Sequence, residues 1–289
     1  MSYSDLRSFI SQVLQENNRV LSEGAKDPGI FKAVFMAGCP GAGKGTVIRA
    51  VFGDTSSFTP QGLKVVNPDD MYEYLLNKEK VGLVDPGGKS KEEVEAMTPE
   101  EQEEYKGTKK TYRSAAGKLM SKATGKITGG AKGIDPEKVG LDREKYGMGK
   151  PGKERPKTRM EIYIDGRLGL LIDGTATNVQ KILREKEILE DLGYDTMMIV
   201  ANVPTDVALE RNRARGEEGK RRIPDVAVAR TCEKLQKNFE TYAAEFGNNY
   251  IEIDNTKPTS ETVTSEVKGK VDSFISSPPS HPAATEWLK

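Results

Sequence analysis

The stretch Gly38-Cys-Pro-Gly-Ala-Gly-Lys-Gly-Thr46 constrains this chain more than any other. It follows a short apolar run, Ala33-Val-Phe-Met-Ala37, and leads into Val47-Ile-Arg-Ala-Val51, which continues as a helix. Strand, glycine-rich turn and helix in that order are the context of a phosphate-binding loop (P-loop). Glycines at 38, 41, 43 and 45 let successive backbone N–H groups turn inward toward a polyphosphate. The positive N-terminal end of the following helix adds to the same point. Lys44 brings a cation to the β- and γ-phosphates, and the loop's hydroxyl arrives at Thr46, one residue after Gly45. The candidate nucleotide-binding residues are therefore Gly38, Pro40, Gly41, Ala42, Gly43, Lys44, Gly45 and Thr46. The plain alternative is a glycine-rich strand–helix turn that binds nothing.

The chain has 289 residues, enough for one large domain or two small ones with a real core. Its 44 Lys+Arg balance 44 Asp+Glu, so net charge says nothing about nucleic acid and the distribution has to be read instead. Two cysteines, Cys39 and Cys232, and the single His281 leave no metal cluster or disulfide framework to propose. Neutral thiols, buried or lining a loop, are the expectation for both. No apolar run approaches the ~20 residues of a membrane span, and Met1-Ser-Tyr-Ser-Asp5 lacks the form of a signal peptide. The expectation is a soluble cytoplasmic protein, in a bacterial host if the source is a phage.

Taken in order, Ser4 or Asp5 starts a helix to about Glu16, and loop chemistry follows to Gly29. Leu63-Lys-Val-Val66 reads as a second strand ending in Asn67-Pro-Asp-Asp70. Carboxylates just past a strand's C-terminal end lie where open α/β sheets bind ligands. Helix capping by Asp69 or Asp70 is the plain reading of that acidic pair, and one role for each carboxylate is compatible with the spacing. Residues 78–159 break the pattern and separate charge. Between 85 and 105, eight acids against two lysines give −6, and between 106 and 160, sixteen Lys/Arg against five Asp/Glu give +11. The basic part suits a polyanion such as nucleic acid, and a solvated, partly disordered surface is its plain alternative. Glu161-Ile-Tyr-Ile164, Asp165-Gly166 and the following apolar run fit either a hairpin or a helix end followed by a strand. Leu168-Gly-Leu-Leu-Ile172 ends in Asp173-Gly-Thr175, an acid-tipped strand able to hold Mg²⁺ directly or through water.

Val179 to Leu192 is an amphipathic helix, Thr196 to Ala201 a fourth strand, and Pro204 and Asp206 start a helix through Arg211. From Arg211 to Pro224 the chain reads as a mobile, arginine-rich loop able to fold over a triphosphate. A merely solvated basic loop is its alternative. A long helix from Val226 to Phe246, a fifth strand Tyr250 to Ile253, a helix from Ser260 to Ile275 and a tail at 277–289 complete the order. The expected organisation is an N-terminal helix and linker (1–30), a core (31–77 and 160–276), a basic insertion (78–159) and that tail.

Strands alternating with helices imply an α/β fold: a parallel five-stranded sheet with helices on both faces, interrupted by a long polar insertion. The ending Gly45-Thr46 resembles the loop of adenylate kinase and its relatives more than the GTPase form. Over residues 31–77 and 167–255 the chain resembles two groups of P-loop nucleotide-kinase-like proteins. Bacteriophage 5′-polynucleotide kinases have GCPGSGKS, an acidic pair after the second strand, and a lid R-N-x-x-R-G followed by V-P. Here Asn67-Pro-Asp-Asp70, Arg211-Asn-Arg-Ala-Arg-Gly216 and Ile223-Pro224 stand in the same order. The zeta toxin family, which phosphorylates a UDP-amino sugar, is similar over the same elements and better matches Asp173-Gly-Thr175.

The resemblance implies an ATP-dependent kinase using Mg²⁺, with Asp69 as general base and Lys44 and the loop amides on the ATP phosphates. It implies Arg215 and Arg211 at the transferring phosphoryl group, Asp70, Asp173 and Thr175 toward the acceptor, and Thr46 with Asp173 at the metal. The acceptor is a nucleotide sugar, a polynucleotide or another hydroxyl compound. Two departures stand out: Tyr72 occupies the place of the polynucleotide kinases' acceptor-phosphate arginine, and Thr177 that of the zeta family's substrate arginine. The alternative from another class is a nucleotide-binding structural or assembly protein that uses the loop without an acceptor.

Overall fold

The computed structural model describes residue 27 and residues 29–289, except 56, 87, 88, 90, 151–153 and 258–262. The helix expected from Ser4 or Asp5 to Glu16 lies outside the described residues. The core strands are β1 (Lys32–Ala37), β2 (Lys64–Val66), β3 (Leu170–Gly174), β4 (Asp195–Asn202) and β5 (Tyr250–Asp254). They form one sheet in the order β2-β3-β1-β4-β5, and every pair is parallel. The C-terminal ends of β1, β2 and β3 therefore share one edge of the sheet.

The helices are α1 (Lys44–Phe52), α2 (Asp69–Lys78), α3 (Lys91–Glu95), α4 (Pro99–Ile127), α5 (Arg159–Asp165), α6 (Val179–Asp191), α7 (Thr205–Glu217), α8 (Asp225–Gln236), α9 (Phe239–Phe246), α10 (Ser265–Ser276) and α11 (Pro282–Trp287). Alternation along β1 explains the two-sided packing. Ala33, Phe35 and Ala37 share a core with Met160 and Ile164 of α5, Ile188 and Leu189 of α6, and Tyr242 and Phe246 of α9. Val34 and Met36 point the other way, into a core with Val47, Ile48 and Val51 of α1, Val228 of α8 and Val271 of α10. Each fully buried Val, Leu, Ile, Met or Phe among them contributes on the order of 1.5–3 kcal/mol.

The region 78–159 is folded where it is described. Thr98 starts α4 with a capping box: its hydroxyl accepts from Glu101 N–H, and Glu101 reaches back to Thr98 N–H. One face of α4 packs Ala116 and Ala123 against Tyr72, Leu75 and Leu76 of α2. The glycine-rich run beyond α4 forms three short 3₁₀ turns. Several of its cations are paired. Arg155 makes a forked pair with the fully buried Glu161, at 2.6 and 2.8 Å, Lys145 pairs with Asp191 at 2.6 Å, and Arg143 pairs with Asp135.

One open choice is decided and four local expectations need correction. Of the two readings of 159–166, a helix end followed by a strand is the one observed: Thr158 caps α5 through a second capping box with Glu161, and β3 begins at Leu170. The helix placed after β4 does not stop at Arg211 but continues to Glu217, so Arg211, Arg213 and Arg215 are helical and only 218–224 is loop. Gly216 is accepted inside that helix because Arg222 packs on it; a Cβ there would lie 2.7 Å from the Arg222 Cδ. The long helix at 226–246 is two helices, parted where Asn238 leaves the helix and donates its amide to the Ala176 carbonyl at 3.2 Å. The cap of α2 is neither Asp69 nor Asp70: Asn67 Oδ1 accepts from Asp69 N–H at 2.8 Å. Finally, Cys39 and Cys232 are not thiols but a disulfide, with Cα atoms 5.0 Å apart across 193 residues. Fold topology alone sets α8 against the phosphate loop, and no local pattern announces it.

Among the described residues no helix is long and apolar enough to cross a membrane. The tail carries α11, and Trp287 meets Phe31 edge-on at 5.5 Å between ring centroids.

Candidate active site

The phosphate loop runs from the end of β1 into α1, and its conformation is one that only glycine adopts easily. Gly41 and Gly43 have φ of +86° and +79°. At Gly41 the backbone of α7 comes so close that a Cβ would sit 2.1 Å from the Ala208 carbonyl oxygen. From the far side, the buried Asn255 beyond β5 donates its amide to the Ala42 carbonyl at 2.7 Å. The disulfide at Cys39 ties the same loop to α8. Lys44 folds back to donate to the Gly38 carbonyl at 3.0 Å. Gly45 and Thr46, in the first turn of α1, are exposed, and a Cβ at Gly45 would meet nothing within 4 Å.

Asp173, at the tip of β3, stands beside this loop. Burial pushes its carboxyl up to about 6, against a lowering by Lys44 and a further rise from Asp69 and Asp70. Asn67 links it to the neighbouring strand end, donating Nδ2–H to Asp173 Oδ2 at 3.0 Å while its Oδ1 caps α2 at Asp69. One side chain therefore fastens the tips of β2 and β3 together. Asp173 Oδ1 is buried with no hydrogen-bond partner among the described residues. An orphaned buried carboxylate oxygen next to a lysine and a phosphate cradle fits a hard divalent cation with its nucleotide. Thr175 lies just beyond, its hydroxyl 3.4 Å from that of Thr177.

Asp69 opens α2 with half of its side chain exposed, and Arg221 donates Nη1–H to its Oδ1 at 2.8 Å. The Arg221 guanidinium also stacks over the Tyr72 ring, 4.8 Å from the centroid. Asp70, the next residue, is exposed over much of its surface, yet desolvation and then the Asp69 carboxylate raise its pKa, while Arg159 opposes the rise.

The arginines of the lid divide the site among them. Arg211 stands beside the loop, its Nη1 3.8 Å from where a Gly43 Cβ would be, and Nη2 donates to the Thr256 carbonyl at 3.4 Å. Arg215, one turn on, faces Glu73 of α2 at 3.5 Å in an exposed pair. Arg221, which the sequence motif does not single out, is the one that reaches the acid at 69. A signal for it existed in the basic run before Pro224, but which of its arginines folds inward depends on the return of the loop past α2. The backbone supplies that return: Arg222 N–H donates to the Leu83 carbonyl at 3.3 Å.

Beyond Arg222 lies a cavity of about 1060 Å³. Lys89, Lys109 and Arg113 line it from one side, and Arg213, Arg222 and Arg230 from the other. Lys89, Lys109 and Arg113 come from the insertion 78–159. Thr177, at the mouth of β3, also lines it. Asp85, Glu93 and Asp225 line it too, so with Lys234 seven cations face three acids, and the excess of positive charge suits an anionic molecule.

No family model matches the sequence, and no curated protein matches it. Among solved structures, a chain of the Pnkp1/Rnl/Hen1 RNA repair complex is similar at 16% identity and a TM-score of 0.36, over 74% of this chain and 46% of that one. This chain thus spans less than half of that chain's length. A chain from the PezAT chromosomal toxin–antitoxin system of the human pathogen Streptococcus pneumoniae is similar at 14% identity and a TM-score of 0.39, over 100% of this chain and 94% of that one.

Proposed function

We propose that this protein is an ATP-dependent phosphotransferase that moves the γ-phosphate of ATP to a hydroxyl acceptor. The observation that carries the reading is the meeting of three groups on one sheet edge: the Lys44 loop after β1, Asp173 at the tip of β3 and Asp69 after β2, fastened by Asn67. A phosphate cradle alone would support only nucleotide binding. A carboxylate held one side chain away from the metal-type acid adds a proton acceptor for a second substrate.

In this mechanism the loop amides and Lys44 hold the β- and γ-phosphates, and Arg211 neutralises charge beside the loop. Mg²⁺, when bound, would be held by Thr46 and Asp173 and would offset the charge that develops on the phosphates. The acceptor lies in the cationic cavity with its hydroxyl at Asp69. Asp69 takes the hydroxyl proton, the acceptor oxygen bonds to the γ-phosphorus, and the bond to the bridging oxygen of ADP breaks. Arg215 and Asp70 flank this point from α7 and α2. Positioning and charge neutralisation do most of the work in such a transfer. The basic lining favours a phosphate-bearing acceptor, and Thr175 and Thr177 are at hand for its polar groups.

The test is transfer from γ-labelled ATP to a panel of 5′-hydroxyl oligonucleotides, UDP-sugars and nucleosides, by the wild type and by Asp69→Asn. Label on one acceptor, lost in the variant while ATP binding persists, is the expected result. ATP binding without transfer to any acceptor would favour a nucleotide-dependent structural role instead.

A further inference from the structure

Arg221 has no part in the transfer just described, yet it occupies the group that must accept the proton. We infer that Arg221 is an acceptor-sensing gate: it holds Asp69 until an anionic group next to the acceptor's hydroxyl draws it away. The inference rests on the kinase reading above and adds to it a specificity residue and a reason why water is not phosphorylated in place of the acceptor.

The contact is built into the fold. The Arg221 side chain is 14% exposed, against 51% for Asp69, and it lies on the buried Tyr72. Its chain neighbours are fixed independently. Arg222 bonds through its backbone to Leu83, and Ile223 is clamped by the buried Asn212, which donates to its carbonyl at 2.6 Å and accepts its N–H at 3.1 Å. On the other side, Lys220 N–H donates to the Arg215 carbonyl at 3.1 Å, so the part free to move is the long side chain itself.

The chemistry follows from charge. A carboxylate oxygen that accepts a charge-assisted hydrogen bond from guanidinium is held by a strong, directional partner. With Arg221 in place, Asp69 Oδ1 is already occupied by the guanidinium at 2.8 Å, so that oxygen is not open to a water molecule that has entered an acceptor-free site. An anion beside the hydroxyl changes the balance, because guanidinium binds phosphate oxygens as readily as carboxylate oxygens. The surroundings favour delivery of that anion. Four cations lining the neighbouring cavity, Lys89, Lys109, Arg230 and Lys234, make no ion pair with any described residue. The acceptor that fits is therefore one with a phosphate or comparable anion near its reacting hydroxyl.

The experiment is the acceptor-free hydrolysis of Mg·ATP, in which the oxygen of water bonds to the γ-phosphorus, ADP departs, and Asp69 takes the proton. Wild type, Arg221→Ala and the double variant Arg221→Ala/Asp69→Asn are compared, with sodium sulfate at constant ionic strength as the anion probe. Arg221→Ala should hydrolyse ATP faster by about tenfold or more, the low end of what a positioned base supplies, and the gain should vanish in the double variant. Sulfate should speed the wild type and leave Arg221→Ala unchanged, a response that a purely structural arginine would not give. An Arg221→Ala rate at or below wild type, a gain that survives loss of Asp69, or a wild type indifferent to sulfate would each overturn the gate. If wild type still transfers phosphate to an acceptor in that case, the kinase reading stands without it. Absence of ATP turnover in every protein, with and without acceptors, would remove both.

Discussion

Replacing Gly41 by alanine is the sharpest single test of the phosphate loop as drawn. The residue has φ of +86°, and the new methyl would lie 2.1 Å from the Ala208 oxygen, 2.8 Å from its carbonyl carbon and 3.0 Å from its Cα. The left-handed conformation costs an L-residue about 1–2 kcal/mol. Overlap with a buried stretch of α7 backbone, which has no side-chain rotamer to yield, adds roughly 1–3 kcal/mol. The two together predict a loss of roughly 2–5 kcal/mol and a fall in Tm on the order of 5–15 °C for a chain of this size. Because relief requires the loop to leave α7, ATP affinity should fall as well, with Lys44 displaced from the cradle. The matched control is Gly45→Ala, whose Cβ meets nothing within 4 Å and which should cost no stability and gain up to about 1 kcal/mol in the first turn of α1. Thermal melts and titration with a fluorescent ATP analogue read both effects. A Gly41→Ala protein that melts and binds like wild type would refute the close approach of loop and α7.

Asp69→Asn should abolish transfer while leaving nucleotide affinity within about twofold, since a base touches the transition state and not the bound phosphates; a variant with full activity removes Asp69 from the mechanism. Asp173 has its carboxyl raised from 3.8 to about 6, so its contribution to stability is fully present below pH 3.8 and is lost as pH rises through about 6. Asp173→Asn should therefore stabilise the nucleotide-free protein above pH 6 by at most about 3 kcal/mol, do nothing at pH 4, and lose the stabilisation by Mg·ATP; melts across pH check the sign. The Cys39–Cys232 bond closes a separation of 193 residues, which in the chain-entropy account is worth roughly 5 kcal/mol at most. Reduction, or Cys232→Ser, should lower the Tm accordingly, and a thiol titration of the denatured, unreduced protein that finds two free thiols would show that the bond is absent. Disulfides are rare in reducing compartments, so the stability of this protein should depend on where it is kept.

Much of the frame was legible because it is local. β1 and β3 are apolar runs closed by a glycine turn and by an acid. The apolar spacing from Val179 to Leu192 reads as an amphipathic helix, and α6 forms over Val179–Asp191. The acid at 69, the acid at 173 and Lys44 were each found from the motif in which it sits. What the reading missed depends on contacts over long separations. Asn67 looked like punctuation before a proline, but it bonds Asp173 across 106 residues. Arg221 was one cation in a basic run, but it meets Asp69 across 152 residues. Asn238 lay inside a helical pattern, and the carbonyl that draws it out belongs to residue 176.

Local patterns were enough to read a parallel α/β sheet with a glycine-rich loop after its first strand. Apolar runs, glycines and caps act through neighbours within a few residues, so their outcome is readable one segment at a time. Tertiary structure alone decided which acid is covered, which arginine covers it, and that the loop's cysteine is bonded to α8. Those outcomes depend on how strands 2, 3, 1, 4 and 5 lie side by side, because that order sets which distant side chains come within hydrogen-bonding reach.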